Sequence, residues 1–149
     1  MVKSPFELPD SVEKLIPQRE PMLLVSRLLA RNKDADYSLV EAVIPESGIF
    51  IDKENTVAPE FYIELIAQAM AATNGYDMIV EGKDSAIGYL VGIDSFSWHQ
   101  PARPGRLVHI NIKKNFEFGP VTLIEGIVKD AVSGAEICAG ALRTWEEGK

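Results

Sequence analysis

The sequence predicts an α+β domain: one long buried helix packed on a largely antiparallel sheet of about six strands. Three observations carry this. Residues Phe61 to Tyr76 are apolar almost without interruption, as in a helix buried on nearly every side. The second half of the chain divides into strand-like runs punctuated by Gly119-Pro120 and Ser133-Gly134, which mark tight turns between antiparallel neighbours. The length of 149 residues suits one domain over 1–149, with a core large enough to fold without disulfide staples.

Each element has its own reason. Asp10–Ile16 reads as one or two helical turns, capped by Asp10 or Ser11 and stopped by Pro17. Met22–Leu29 is mostly apolar and Asp36–Ile44 alternates loosely, so both are strand candidates. Pro45–Pro59 is loop-like, with Gly48, Asp52 and Asn55. Pro59–Val80 is the long helix. Pro59 fits its first turn and Glu60 faces the positive end of its dipole, while Gly75 is expected to weaken its last turns. Ala86–Ile93 is a continuous apolar strand. Arg106–Phe118 alternates, with Val108, Ile110, Ile112, Phe116 and Phe118 on one face and His109, Asn111, Lys113, Asn115 and Glu117 on the other. Val121–Lys129 and Ala135–Trp145 complete the sheet. Their Gly126, Ala139, Gly140 and Ala141 leave room for close approach by a helix or another backbone.

Composition removes several functions. With 15 Lys+Arg against 22 Asp+Glu, the net charge of −7 works against a general nucleic-acid binder. The single cysteine, Cys138, has no partner for an intramolecular disulfide. With two histidines beside it, a metal site would need carboxylates, and none is expected. Met1–Asp10 lacks the apolar centre of a signal peptide. No apolar run approaches the roughly 18 residues of a membrane helix, so a cytoplasmic protein is expected. Neither GxGxxG nor GxxxxGK[ST] occurs, leaving nucleotide binding without support.

Three features can carry chemistry. Glu64 is the sole carboxylate between Phe61 and Tyr76, where a charge is costly unless paired or set at an edge. With Glu60 and Gln68 it forms an i, i+4, i+8 stripe, which fits the wet edge of a helix and equally a general acid or base in an apolar tunnel. Spacing does not separate the two. The 22 residues Ser95–Phe116 hold Arg103, Arg106, Lys113 and Lys114 and no acid, while the other 127 residues sum to −11. Such a stretch suits an acidic partner, or is a solvated strand face. His99, in Trp98-His99-Gln100-Pro101, and His109 are the two histidines, each either a surface residue or a proton carrier.

Taken together, the motifs resemble the β-hydroxyacyl-acyl-carrier-protein dehydratases. Leu15-Ile16-Pro17-Gln18-Arg19-Glu20-Pro21-Met22-Leu23-Leu24-Val25 is similar to their "LxPHRxPxLLxD" opening, and Ile63-Glu64-Leu65-Ile66-Ala67-Gln68 to their "xExxAQ" helix motif. Gly92-Ile93-Asp94 followed by Pro101-Ala102-Arg103-Pro104-Gly105 is similar to their "GID…PVxPGD" segment. The likeness runs over about Leu15–Leu142 and is greatest to the shorter branch assigned to aryl-polyene lipid pathways.

The resemblance implies a hotdog fold, a dimer (with a second copy or another hotdog protein) and tunnels at the subunit interface. It implies acyl thioesters of an acidic carrier protein, or of coenzyme A, as substrates, the phosphopantetheine belonging to the substrate and no cofactor to the enzyme. Glu64 then matches the family's catalytic carboxylate and Gln68 its accompanying glutamine, with Phe50, Pro59 and Gly92 at substrate-binding positions. Arg103, Arg106, Lys113 and Lys114 would receive the carrier protein. The family's "GHFP" segment corresponds to Gly48-Ile49-Phe50-Ile51, which puts Ile49 where the proton-abstracting histidine belongs. Gln18, Ser26 and Arg106 replace a further histidine and two aspartates of the motifs. Three expectations follow: a dehydratase with a relocated base, His99 being the histidine nearest a matched motif; a thioesterase in which Glu64 activates water; or a non-catalytic subunit that binds carrier protein or pairs with an active dehydratase.

Overall fold

The computed structural model describes residues 8–17, 19–20, 22–83, 88–100 and 102–146, with Tyr89 described by its backbone alone. The expected strand start at Ala86, most of Met1–Asp10, and Gln18, Pro21 and Pro101 of the matched motifs lie outside them. The chain forms β1 (Asp10–Ser11), a 3-10 turn (Val12–Lys14), β2 (Arg27–Asn32), β3 (Tyr37–Val43), α1 (Pro59–Val80), β4 (Gly88–Trp98), β5 (Leu107–Phe118), β6 (Val121–Asp130) and β7 (Glu136–Glu146). The strands make one seven-stranded antiparallel sheet in the order β1-β2-β3-β5-β6-β7-β4. The strand beyond the expected six is the two-residue β1. One long helix on this sheet is the hotdog arrangement.

Helix α1 has the bounds its pattern predicts, with Pro59 in the first turn and Phe61 N–H donating to Ala58 C=O at 3.0 Å. Phe61, Tyr62, Leu65, Ile66, Ala69, Met70 and Ala72 are buried against the sheet. Each large side chain among them contributes roughly 1.5–3 kcal/mol on removal from water. Two glycines set how near the helix lies. A Cβ on Gly126 would stand 2.4 Å from Ile66 Cγ2, and one on Gly75 would stand 2.2 Å from the Leu15 carbonyl oxygen. Gly75 therefore does not weaken the helix, which runs on to Val80; it lets the 3-10 turn segment dock.

Polar contacts lock the far end of the helix to β2 and β3. The buried Arg31 guanidinium donates to both Asp77 oxygens, at 2.9 and 2.6 Å, and to Asp36 Oδ1 at 2.9 Å. Thr73 donates to Ala69 C=O at 2.9 Å and so accepts from Ser38 Oγ at 2.6 Å.

Two local expectations change. The strand expected at Met22–Leu29 begins at Arg27, because the backbone at Met22 and Leu24 is bonded to the Gln68 side chain of α1 rather than to a strand. In β5 the alternation predicts Phe116 and Phe118 in the core, yet they are 57% and 76% exposed. The pairing slips between Lys114 and Phe116, so two residues oppose one and every later side chain changes face.

Strand β4 lies at the sheet edge and pairs with β7 only. Leu90, Ile93 and Trp98 stand opposite the buried Thr144, Leu142 and Cys138, and so share the helix-side face. They are nonetheless 39%, 49% and 41% exposed. Among the described residues no helix is long and apolar enough to cross a membrane.

Candidate active site

Glu64, Ala67, Gln68, Ala71 and Asn74 recur at helical spacing and share one face of α1. The two alanines leave a space between this face and the β4–β7 edge, a cavity of about 110 Å³. Its polar walls are Glu64, Gln68, Asn74, Thr144 and Glu146, and Leu90 is among the apolar ones. The Glu60–Glu64–Gln68 stripe thus runs from solvent into the protein: Glu60 is exposed, Glu64 half-buried and Gln68 1% exposed.

Gln68 organises this end of the cavity. Its Oε1 accepts the Leu24 N–H at 2.8 Å, and its Nε2 donates to Met22 C=O at 2.7 Å and to Glu64 Oε1 at 3.1 Å. An amide has two donor hydrogens, and both are engaged. Gln68 therefore orients Glu64, a role the expected substrate contact did not include. At the other end, Asn74 Nδ2 donates to Glu146 Oε1, and Glu146 is 7% exposed.

The other candidates lie elsewhere. His99, expected as a relocated base, follows the end of β4 and pairs through Nε2 with Glu136 Oε2 at 2.6 Å. Leu90, on the cavity wall, is nine residues earlier on that strand, so roughly 25–30 Å separates them. His99 is not among the residues that line the Glu64 cavity. His109 stands on the outer face of β5 with Nε2 3.8 Å from Glu41 Oε2. Gly92 pairs with Arg143 beside a β4 bulge, Pro59 is an exposed first helix residue, and Phe50 packs edge-to-face on Phe61 at 5.5 Å. None of the three lines the Glu64 cavity.

Phe50 and Ile49 border a second, open groove of about 800 Å³, shared with Glu13, Glu20, Leu23 and Val43. Ile49 is 81% exposed there. A hydrocarbon side chain with no proton-accepting atom thus stands at the position of the family's histidine.

The four cations do not form one patch. Arg106 immediately precedes β5 and Lys113 lies near its middle, about 24 Å apart along an extended chain. Arg106 donates to Asp130 Oδ2 at 2.9 and 3.1 Å. The Ser133 N–H and this guanidinium hold the Asp130 carboxyl down to about 2. The Lys114 side chain is 9% exposed, whereas Arg103 and Lys113 are exposed.

Sequence reasoning missed Asn74, Thr144, Glu146 and Leu90. A signal for Asn74 was available in the Glu64–Ala67–Ala71–Asn74 stripe of polar and small residues. For the other three there was none, because they come from the two ends of the antiparallel β4–β7 pair. Burial pushes the Cys138 thiol up to about 12 and the Tyr62 hydroxyl, which accepts Ala102 N–H at 3.3 Å, also to about 12. Both stay protonated at neutral pH and anchor the fold. Among the described residues no group of three His, Cys, Asp or Glu side chains is placed to hold a metal ion.

Comparison with known proteins places this geometry. The family model described as ApeP-like, ApeP dehydratase, matches residues 10–146. The chain is 35% identical over 103 residues to the 3-hydroxyacyl-[acyl-carrier-protein] dehydratase FabZ of Cupriavidus taiwanensis, covering 66% of this chain and 68% of that protein. It is 25% identical over 134 residues to the FabZ of Anaeromyxobacter sp. (strain K), covering 86% of each. Among solved structures it is similar to the dehydratase heterocomplex ApeI:P from Xenorhabdus doucetiae, with TM-score 0.82 and 19% identity over 97% of this chain and 94% of that one. A hotdog chain with a helix carboxylate held by a glutamine, matched almost end to end by that family model, belongs to the ApeP-like dehydratase family.

Proposed function

We propose that this chain is the acid-bearing subunit of a 3-hydroxyacyl-thioester dehydratase, completed by a second hotdog subunit that supplies the base. The observation that carries the reading is the Glu64 cavity: it holds an oriented carboxylate, opens beside the uncovered edge strand β4, and has no histidine among its lining residues. Ile49, at the matched base position, points the same way.

The reaction is an elimination and needs only proton transfers. A base removes the C2 proton, made acidic by the thioester carbonyl, and the electron pair forms the C2–C3 double bond. Glu64, in its acid form, protonates the departing C3 hydroxyl, which leaves as water. Gln68 keeps the carboxyl at one orientation, so little motion is required at the moment of reaction. The partner seats on β4, whose free edge offers backbone groups for strand pairing and whose Leu90, Ile93 and Trp98 offer apolar surface. Its substrate arrives on phosphopantetheine, borne by acyl-carrier protein or coenzyme A. The exposed Arg103 and Lys113 are the cations free in geometry to meet an acidic carrier.

The test is incubation with a 3-hydroxyacyl-carrier-protein, following enoyl product by mass spectrometry, with the chain alone and with an FabZ-like partner from the same cell. Turnover is expected only in the pair, and Glu64→Gln in this chain should lower it by about 100-fold or more. Pair turnover indifferent to Glu64→Gln would make this chain a non-catalytic subunit. Released free acid in place of enoyl product would make it a thioesterase.

A further inference from the structure

We infer that the open groove beside Ile49 docks an extended segment of a partner protein, one that alternates Lys or Arg with apolar side chains. The groove shares no lining residue with the Glu64 cavity. Its occupation does not require Glu64 to be an acid.

The groove forms where two paired chains part. Strands β2 and β3 pair as far as Arg27 opposite Glu41, and Ser26 N–H still donates to Glu41 C=O at 2.8 Å. Beyond that bond the backbones take different partners. Leu24 N–H donates to Gln68 Oε1 of α1 at 2.8 Å, and Ile44 N–H to Arg106 C=O, just before β5, at 2.9 Å. One chain is thus held to the helix and the other to β5. The space between them, walled also by Glu13 and the 47–50 loop, is the groove of about 800 Å³.

Its lining is of two kinds. Leu23, Val43, Ile49 and Phe50 are apolar, and Val43 and Ile49 are 48% and 81% exposed. An occupant that covers them releases the water they now order. Glu13 and Glu20 are exposed carboxylates, and no Lys, Arg or His lines the groove. The cations nearest in sequence are engaged elsewhere. Lys14 pairs with Asp10 and Arg27 with Glu41, each at 3.0 Å, and Arg19 donates to the Ile16 and Glu13 carbonyls at 2.8 Å. Among the described residues neither Glu13 nor Glu20 is in an ion pair.

Charge complementarity then selects the occupant. An acidic carrier protein or an anionic lipid surface meets like charge here and is turned away. A small ligand needs walls around most of its surface, which an open trough does not give. An extended segment needs only one covered face. It turns every second side chain toward the apolar floor, and long Lys or Arg side chains between them reach the exposed Glu13 and Glu20.

The test is a fluorescence-anisotropy titration of the full chain with short labelled peptides of alternating Lys and Leu, Glu and Leu, or Lys and Ser. The Lys-Leu peptide should bind roughly tenfold tighter than either of the others, and added salt should weaken it. Glu13→Lys with Glu20→Lys should reverse the preference, so that the Glu-Leu peptide binds better. Asp34→Lys with Glu125→Lys makes the same change of net charge at exposed residues outside the groove, and should leave affinity within about threefold. Ile49→Ser, at an exposed site, should weaken the Lys-Leu peptide about fivefold. Circular dichroism checks that each variant is folded, and Ile49→Ser carries the test should the Glu13 and Glu20 pair of changes unfold the chain. Equal losses in the two charge-reversed proteins would mean attraction to net charge alone and would overturn the inference. No binding of the Lys-Leu peptide at millimolar concentration, or binding indifferent to Ile49→Ser, would overturn it as well.

Discussion

The two flanks of the sheet differ in how they are closed. On the β2–β3 flank, the helix end is clamped by Arg31 between Asp77 and Asp36, and Ser38 bonds to Thr73 in the core. On the β4 flank, apolar side chains on the helix-side face remain partly exposed and the cavity holds buried polar groups. The first flank satisfies its polar groups within the chain, and so it supplies stability. The second leaves apolar surface partly exposed beside a cavity that holds two carboxylates, and so it is where the proposed substrate and subunit would sit. Stability and function are separated by the width of one sheet.

That separation can be broken from the closed side first. Replacing Arg31 with Met should cost about 3–5 kcal/mol, because a carboxylate is left partly buried without its cation. Urea denaturation would read it, and a loss under 1 kcal/mol would mean that the clamp is ornamental. Gly126→Ala comes next, at about 1–3 kcal/mol, since the added methyl meets Ile66 and the helix must move off the sheet. The open side should answer in the opposite way. Ile93→Lys should change the stability of the isolated chain by less than about 0.5 kcal/mol, as for an exposed site. It should also abolish pairing with the second subunit in size-exclusion chromatography with light scattering. Assembly that survives this change would move the partner away from β4.

Much of the site was legible one residue at a time. Glu64 stood out as a lone carboxylate in an apolar helix, and the stripe it shares with Glu60 and Gln68 runs from the exposed edge into the protein. Gln68 was legible as a companion but not as a positioning group, because its partners at Met22 and Leu24 are more than forty positions away. His99 attracted notice by its nearness to a motif in sequence. In the fold it pairs with Glu136 and does not line the Glu64 cavity, because the β4 end that lines the cavity is the other one.

The amino-acid sequence by itself determined the helix and its bounds, the hairpin order of the last strands and the need for small residues under the helix, while the resemblance implied the missing base at Ile49. These follow from local chemistry: periodic apolar side chains, turn-forming glycines and prolines, and the absence of a proton acceptor. Tertiary structure alone decided the rest. The β5 bulge turned Phe116 and Phe118 outward, because one inserted residue inverts every later side chain. The meeting of Glu146 and Thr144 with Glu64 in one cavity was set by antiparallel pairing, which joins the last residues of β7 to the first of β4. The dispersal of the four cations has the same origin, since charges adjacent in composition are drawn apart when the chain that holds them becomes a strand.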